Sequence, residues 1–224
     1  ITLPTMKDRE AILRIHSRGK PLGSDVDLER VARNTPGFSG ADLENLLNEA
    51  SLIAAQTDKS QIDQEDLSIA RDKILLGLER KSVIFSEKEK QIVACHEMGH
   101  ALVAALLPNT DPIHKVSIIP REYTMGATQQ LPEQDRYLYD KGYIVDRIKV
   151  MMGGRAAENF KENTETSGAE NDLKQAQQLA RKMVLDWGMS EKFKNVALGS
   201  QRKQVFLGEE LGHQREYSEE TTRI

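Results

Sequence analysis

The chain has 224 residues, enough for one large core or two modest ones, and a net charge of −4, with 31 Lys and Arg against 35 Asp and Glu. The basic residues are scattered and no zinc-finger or aromatic-basic recognition pattern is present, so nucleic acid is not an expected partner. A single cysteine, Cys95, excludes an intrachain disulfide and fits a reducing compartment; the apolar run Ala101 to Leu107 is too short to cross a bilayer and the N-terminus has no signal-peptide pattern, so the chain as given is expected to be soluble.

The first 80 residues are predicted to be almost wholly helical. Apolar residues recur at helical spacing in MKDREAILRIHSRG, where Gly19 supplies a stop, and again in DLERVARNT before Pro36 and Gly37. In SGADLENLLNEASLIAAQ, Ser39 and Asp42 form a capping pattern, and a fourth helix is expected from Gln64 to Leu76 behind Asp63. Four short helices make a small helical domain over residues 1–80. The charged segment LERKSVIFS suits a linker, and Ser86 with Glu89 caps a helix that runs to Pro108. HKVSIIP and GATQQLP read as two short strands, each ending at proline. YIVDRIKVMMGGRAAENF is a helix whose Gly153-Gly154 pair either admits another backbone or marks a break. ETSGAENDLKQAQQLARKMVLDWG is a long helix, capped at Thr166 or Ser167 and stopped by Gly188. Residues 81–224 therefore read as a second, mostly helical domain with a small sheet. The closing EELGHQREYSEETTRI carries a cap pattern at Ser218 and Thr221 without an apolar run after it.

The stretch CHEMGHALVAALL, residues 95–107, carries the chemistry. Residues four apart share a helix face, so His96 and His100 can offer imidazole nitrogens to one ion, with Glu97 beside them. This is the HExxH pattern of zinc peptidases, in which zinc lowers the pKa of water to about 7 and the glutamate acts as general base. The apolar residues Ile92, Val93, Leu102, Val103, Leu106 and Leu107 predict a central, buried helix, where unpartnered histidines would be costly. Cys95 points about 100° away from His96 and reads as a core thiol. A catalytic zinc needs a third protein ligand and an open position. Glu158, Glu170 and Asp172 are the downstream candidates, with His114 and His213 in loop-like contexts; on physical grounds Glu158 and Asp172 are nearly even.

HEMGHAL, KVSIIPR, GATQQLPEQD, MMGGRAAE, TSGAENDLKQAQQLARKMV and WGMS, in this order and at these spacings, resemble the peptidase domain of the FtsH family of membrane-anchored ATP-dependent zinc proteases. TPGFSGADLENLLNEASLIAA resembles the helical lid of that family's AAA+ module, so the likeness spans essentially the whole chain. It implies a mainly α fold: a helical AAA+ lid followed by a zinc peptidase domain with a small β-sheet. It implies one Zn2+ per subunit held by His96, His100 and Asp172, with Glu97 as general base and Glu158 as a supporting contact. It also implies polypeptide substrates, a homohexamer and a place on the cytoplasmic side of the bacterial inner membrane. ATP and Mg2+ belong to the full-length protein only, because no GxxxxGK[ST] phosphate loop is present here. The chain thus reads as a piece of a longer protein, without its ATP-binding core and membrane anchor. Met98 and Glu122 depart from the family's usual small residue and glycine, which bears on packing and on the turn after Pro120. Trp187 and Met189 are candidates for an interface, or alternatively for the core, the commoner fate of a tryptophan beside a helix end. A zinc hydrolase of small acyl substrates, as deformylases are, and a non-enzymatic assembly module with structural metal are the rival readings.

Overall fold

The computed structural model describes residues 2–192 together with 196 and 197; His213 and the cap pattern at Ser218 lie outside the described residues. Helices α1 (Met6–His16), α2 (Leu28–Arg33), α3 (Gly40–Gln56) and α4 (Gln64–Leu76) come first. Thr5, Ser39 and Asp63 each accept from the backbone N–H three residues on, and Asp8, Asp42 and Asp66 bond back to them, which closes three capping boxes. Leu43, Leu46, Leu47, Ala50 and Ala54 form one helical stripe on α3 and pack with Leu13 and Leu67 into an apolar core. One parallel bridge, Leu22 to Ile62, is the only strand-like pairing within this group among the described residues.

Helix α5 (Glu87–Leu106), strands β1 (Ile113–Ser117) and β2 (Ala127–Gln130), and helices α6 (Lys141–Ala157) and α7 (Glu170–Leu185) follow. The strands pair antiparallel, Val116 opposite Thr128 and Ser117 opposite Ala127. The molecule is mainly α with one two-stranded sheet among the described residues, as the sequence predicts. No described helix is long and apolar enough to cross a membrane.

The segment expected as a linker is stitched in place. Arg80 N–H donates to Pro120 O at 2.9 Å and Glu122 N–H to Leu78 O at 3.0 Å, so the chain after α4 runs beside the turn after β1. Glu122 sits against Gly77, whose φ of 81° ends α4 in a conformation that favours glycine. A buried polar junction lies next to it. Arg71 donates to Asp72 at 2.7 Å and to the Gln129 side chain at 2.5 Å, and Lys115 reaches Asp72 at 2.7 Å. Burial pushes the Asp72 carboxyl up, but the Lys115 and Arg71 bonds outweigh it and hold the group below its ordinary value. His114 is on β1 beside Arg71, not in a loop.

Helix α5 departs from expectation in which face it buries. Leu102 and Leu106 are 59% and 74% exposed, while His96, Glu97, Gly99, His100, Ala101 and Ala104 face inward. Small residues win this face because α5 and α6 cross backbone against backbone. A Cβ on Gly153 would stand 2.7 Å from the Gly99 carbonyl oxygen, and a Cβ on Gly99 would collide with the Gly153 carbonyl. The glycine pair in α6 is therefore an approach point within a continuous helix, not a break.

That crossing makes a sign test available. Helix propensity alone predicts that Gly153→Ala stabilises by up to about 1 kcal/mol. Overpacking of the crossing predicts a net loss of about 1–3 kcal/mol instead, seen as a lower urea midpoint, while Leu102→Ala stays within about 0.5 kcal/mol.

Candidate metal centre

Three donors converge where α5, α6 and α7 meet. His96 Nε2 lies 3.0 Å from His100 Nε2 and 3.2 Å from Asp172 Oδ2, and His100 Nε2 is 3.5 Å from the same oxygen. One turn of α5 sets the two imidazoles on a single face. Asp172 reaches them from the first turn of α7, which a 3-10 turn, Ser167–Ala169, leads into. Thr166 accepts from Gly168 N–H at the head of that turn. Gly154 completes the cradle: a Cβ there would stand 2.5 Å from His96 Nε2 and 2.7 Å from His100 Nε2.

The outer ring nitrogens are already committed. His100 Nδ1 lies 2.7 Å from Val150 O, which can only accept, so Nδ1 carries the proton. His96 Nδ1 lies 2.8 Å from Glu158 Oε1 and donates to it in the same way. Glu158 is 1% exposed and also accepts from the Thr166 hydroxyl at 2.9 Å and from Thr166 N–H at 3.0 Å. It begins a π-helical turn, Glu158–Glu162, that closes on Asn163 in the left-handed region at φ 47°. With both Nδ1 atoms donating outward, both neutral Nε2 atoms turn lone pairs inward, toward each other and a carboxylate. Such a set of electron-pair donors has no hydrogen of its own to share and suits a cation.

The electrostatics point the same way. Burial works against charging His96 and His100, but the Asp172 carboxylate raises both above their ordinary value. Burial pushes Asp172 up, yet hydrogen bonds from His100 and His96, when the rings are protonated, hold it at about 2. A field that favours positive charge on imidazole also favours a divalent ion at that point. Two imidazoles and a carboxylate match the donor chemistry of zinc.

Glu97 is buried beside this cluster without entering it. Burial raises its carboxyl above the ordinary range, against a hydrogen bond from Thr128 and the nearby imidazoles. The Thr128 hydroxyl lies 2.7 Å from Glu97 Oε2 and 2.9 Å from Glu97 O. Glu158 stands behind His96 and not in the cluster; Glu170 is exposed and pairs with Lys174. His114 also lies elsewhere, at the Arg71 junction. Cys95 is half-buried with its thiol 3.5 Å from Ala157 O, and Met98 is exposed. Thr128 carries no sequence signal, because threonine is an ordinary strand former.

Comparison with known proteins places this chain in a family. The model of peptidase family M41 matches residues 83–224, and that of the AAA+ lid domain matches residues 25–69. The whole chain is 57% identical to a third (33%) of the ATP-dependent zinc metalloprotease FtsH 2 of Salinibacter ruber. It is 50% identical, again over its whole length, to 35% of the corresponding FtsH of Nitrosococcus oceani. Over 97% of its length it is 50% identical to 33% of the FtsH of Rubrobacter xylanophilus. The chain thus spans about a third of the length of the curated relatives it matches. With the M41 model covering more than half of its residues, the chain belongs to peptidase family M41.

Proposed function

We propose that the chain carries the endopeptidase centre and the lid helices of an ATP-dependent zinc protease that cuts polypeptides. The supporting observation is the arrangement of donors: both Nδ1 atoms are engaged outward, and both Nε2 atoms and Asp172 converge within 4.8 Å of one another. On this reading His96, His100 and Asp172 hold one zinc ion and residues 81–224 form the peptidase unit. Residues 1–80, which contain the apolar core, form the lid. A zinc ion held there would supply Lewis acidity toward a peptide carbonyl and lower the pKa of water to about 7. Glu97 takes the proton from the attacking water and delivers it to the departing amine. Glu158 and the Val150 carbonyl fix the ring orientations through the Nδ1 protons.

Substrate class follows from the surroundings. The centre opens into a cleft of roughly 1430 Å³, bordered by β2 and by Tyr123, Tyr137 and Tyr139. This exceeds the ~300–1,000 Å³ of small-molecule sites and favours a polypeptide over a small acyl compound. Among the described residues β2 pairs only with β1, which leaves one strand edge along the cleft. An extended substrate can add there by main-chain hydrogen bonds, a mode that tolerates many side chains. The relatives' names attach ATP dependence to the longer protein, and the family resemblance adds a membrane anchor and a homohexamer.

Glu97→Gln should retain zinc and fold while losing peptide hydrolysis by ~100-fold or more. Asp172→Asn should abolish stoichiometric zinc in dialysed protein, whereas Glu158→Gln weakens affinity by only about 10–100-fold; the opposite ranking would return the third ligand to Glu158. N-methylating successive amides of an unstructured peptide should raise KM by about 3–10-fold at the positions that pair with β2. A flat profile would remove strand addition. Light scattering should give a particle near six times the 25.2 kDa chain, and an active monomer would remove the ring.

A further inference from the structure

Among the described residues, Thr128 makes the only side-chain hydrogen bond to Glu97. We propose that Thr128 is a positioning residue for the reaction, holding the Glu97 carboxylate, together with the backbone at Gly126, in the orientation that receives the proton. The inference rests on Glu97 being the proton acceptor.

Two observations carry it. The first is the hydroxyl, 2.7 Å from Glu97 Oε2 and 2.9 Å from Glu97 O. A hydroxyl has one proton, and the charged carboxylate, closer and the stronger acceptor, takes it. Once Glu97 holds a proton, its carboxyl can donate to Thr128 Oγ while the hydroxyl turns to the Glu97 carbonyl. No heavy atom moves, so the contact survives both stages of the transfer. The carbonyl alone does not explain the threonine, because residue 97 lies inside α5, where that oxygen already accepts from the helix ladder. The second observation is on the other side of the carboxylate. A Cβ at Gly126 would stand 2.7 Å from Glu97 Oε1 and 2.9 Å from both Glu97 Cγ and Val93 Cγ1, so the bare backbone closes that side. The clamp is mounted on a fixed element: Thr128 pairs with Val116, and the next side chain, Gln129, is held by Arg71.

The test compares Thr128→Val, which keeps the shape but loses the hydroxyl, with Thr128→Ser, which keeps the hydroxyl. Both are made in the full 224-residue chain and in its Glu97→Gln form. On an unstructured peptide, Thr128→Val should lower kcat by about tenfold or more with KM within about twofold. Thr128→Ser should recover to within about threefold, and Thr128→Val should cost nothing further in the Glu97→Gln background. Zinc content and melting temperature should match the unsubstituted chain throughout, and a crystal structure of Thr128→Val should show the Glu97 carboxylate turned from its place. Unchanged kcat in Thr128→Val, equal impairment in Thr128→Ser, or loss of zinc or stability would overturn the positioning role while Glu97→Gln remains inactive. Full activity in Glu97→Gln would instead remove the base assignment, and the inference with it.

Discussion

The contact between the backbones of Gly99 and Gly153 sets the distance from which the rest of the centre is built. Because neither residue has a Cβ, α5 and α6 approach until side chains as small as alanine would collide. Only at that separation can the Val150 carbonyl on α6 reach His100 Nδ1, and only there does Glu158, at the end of α6, reach His96 Nδ1. The neighbouring Gly154 then leaves room for the two rings themselves. Three glycines in two helices thus convert a packing constraint into a defined orientation of two imidazoles.

Both parts of the chain bury polar groups, Arg9, Thr35, Asp66, Arg71 and Asp72 in the first and His96, Glu97, His100, Asp146 and Glu158 in the second, and they differ in the packing around them. The first four helices bury a continuous apolar stripe, which is non-directional and tolerant in its details. In the second part α5 and α6 meet through small residues, with His96, Glu97, His100, Asp146 and Glu158 buried around them. Polar groups in such surroundings are stable only when each finds its partner, so orientation is enforced by hydrogen bonds with little freedom to slide. Directional packing fixes the separation of the His96, His100 and Asp172 donors from the Glu97 carboxylate. It also leaves large apolar side chains such as Leu102, Leu106 and Phe160 on the outside.

Strand β2 connects these two regions. At one residue its side chain meets helix α4, where Arg71 bonds both Gln129 and Asp72. On the preceding residue the alternation of the strand turns Thr128 toward Glu97. The stitched segment after Gly77 and the Asp72–Lys115 pair hold the same sheet from its other strand. The first four helices are therefore joined to the sheet by specific polar contacts, and the cleft is bordered by both β2 and the His96–His100 face of α5.

Much of this was legible in the chain because it depends on local spacing. Capping pairs three residues apart, histidines four apart and prolines after apolar runs each act within one or two turns, so the helices and the shared face of His96 and His100 follow from the sequence. The third donor was not determined that way. Glu158 and Asp172 are both acidic residues near helix ends, and spacing alone treats them alike; the family resemblance favoured Asp172. In the folded chain, a π-helical turn sends Glu158 behind His96, while the 3-10 turn before α7 brings Asp172 in front of it. The buried face of α5 was likewise decided by tertiary structure, since apolar counting chooses leucines and a glycine crossing selects alanine, histidine and glutamate. Thr128 is the clearest case: its place beside Glu97, 31 residues away, exists only once the sheet is laid across the helix. Sequence determines what acts through neighbours along the chain, and only the fold decides which distant groups share one small volume.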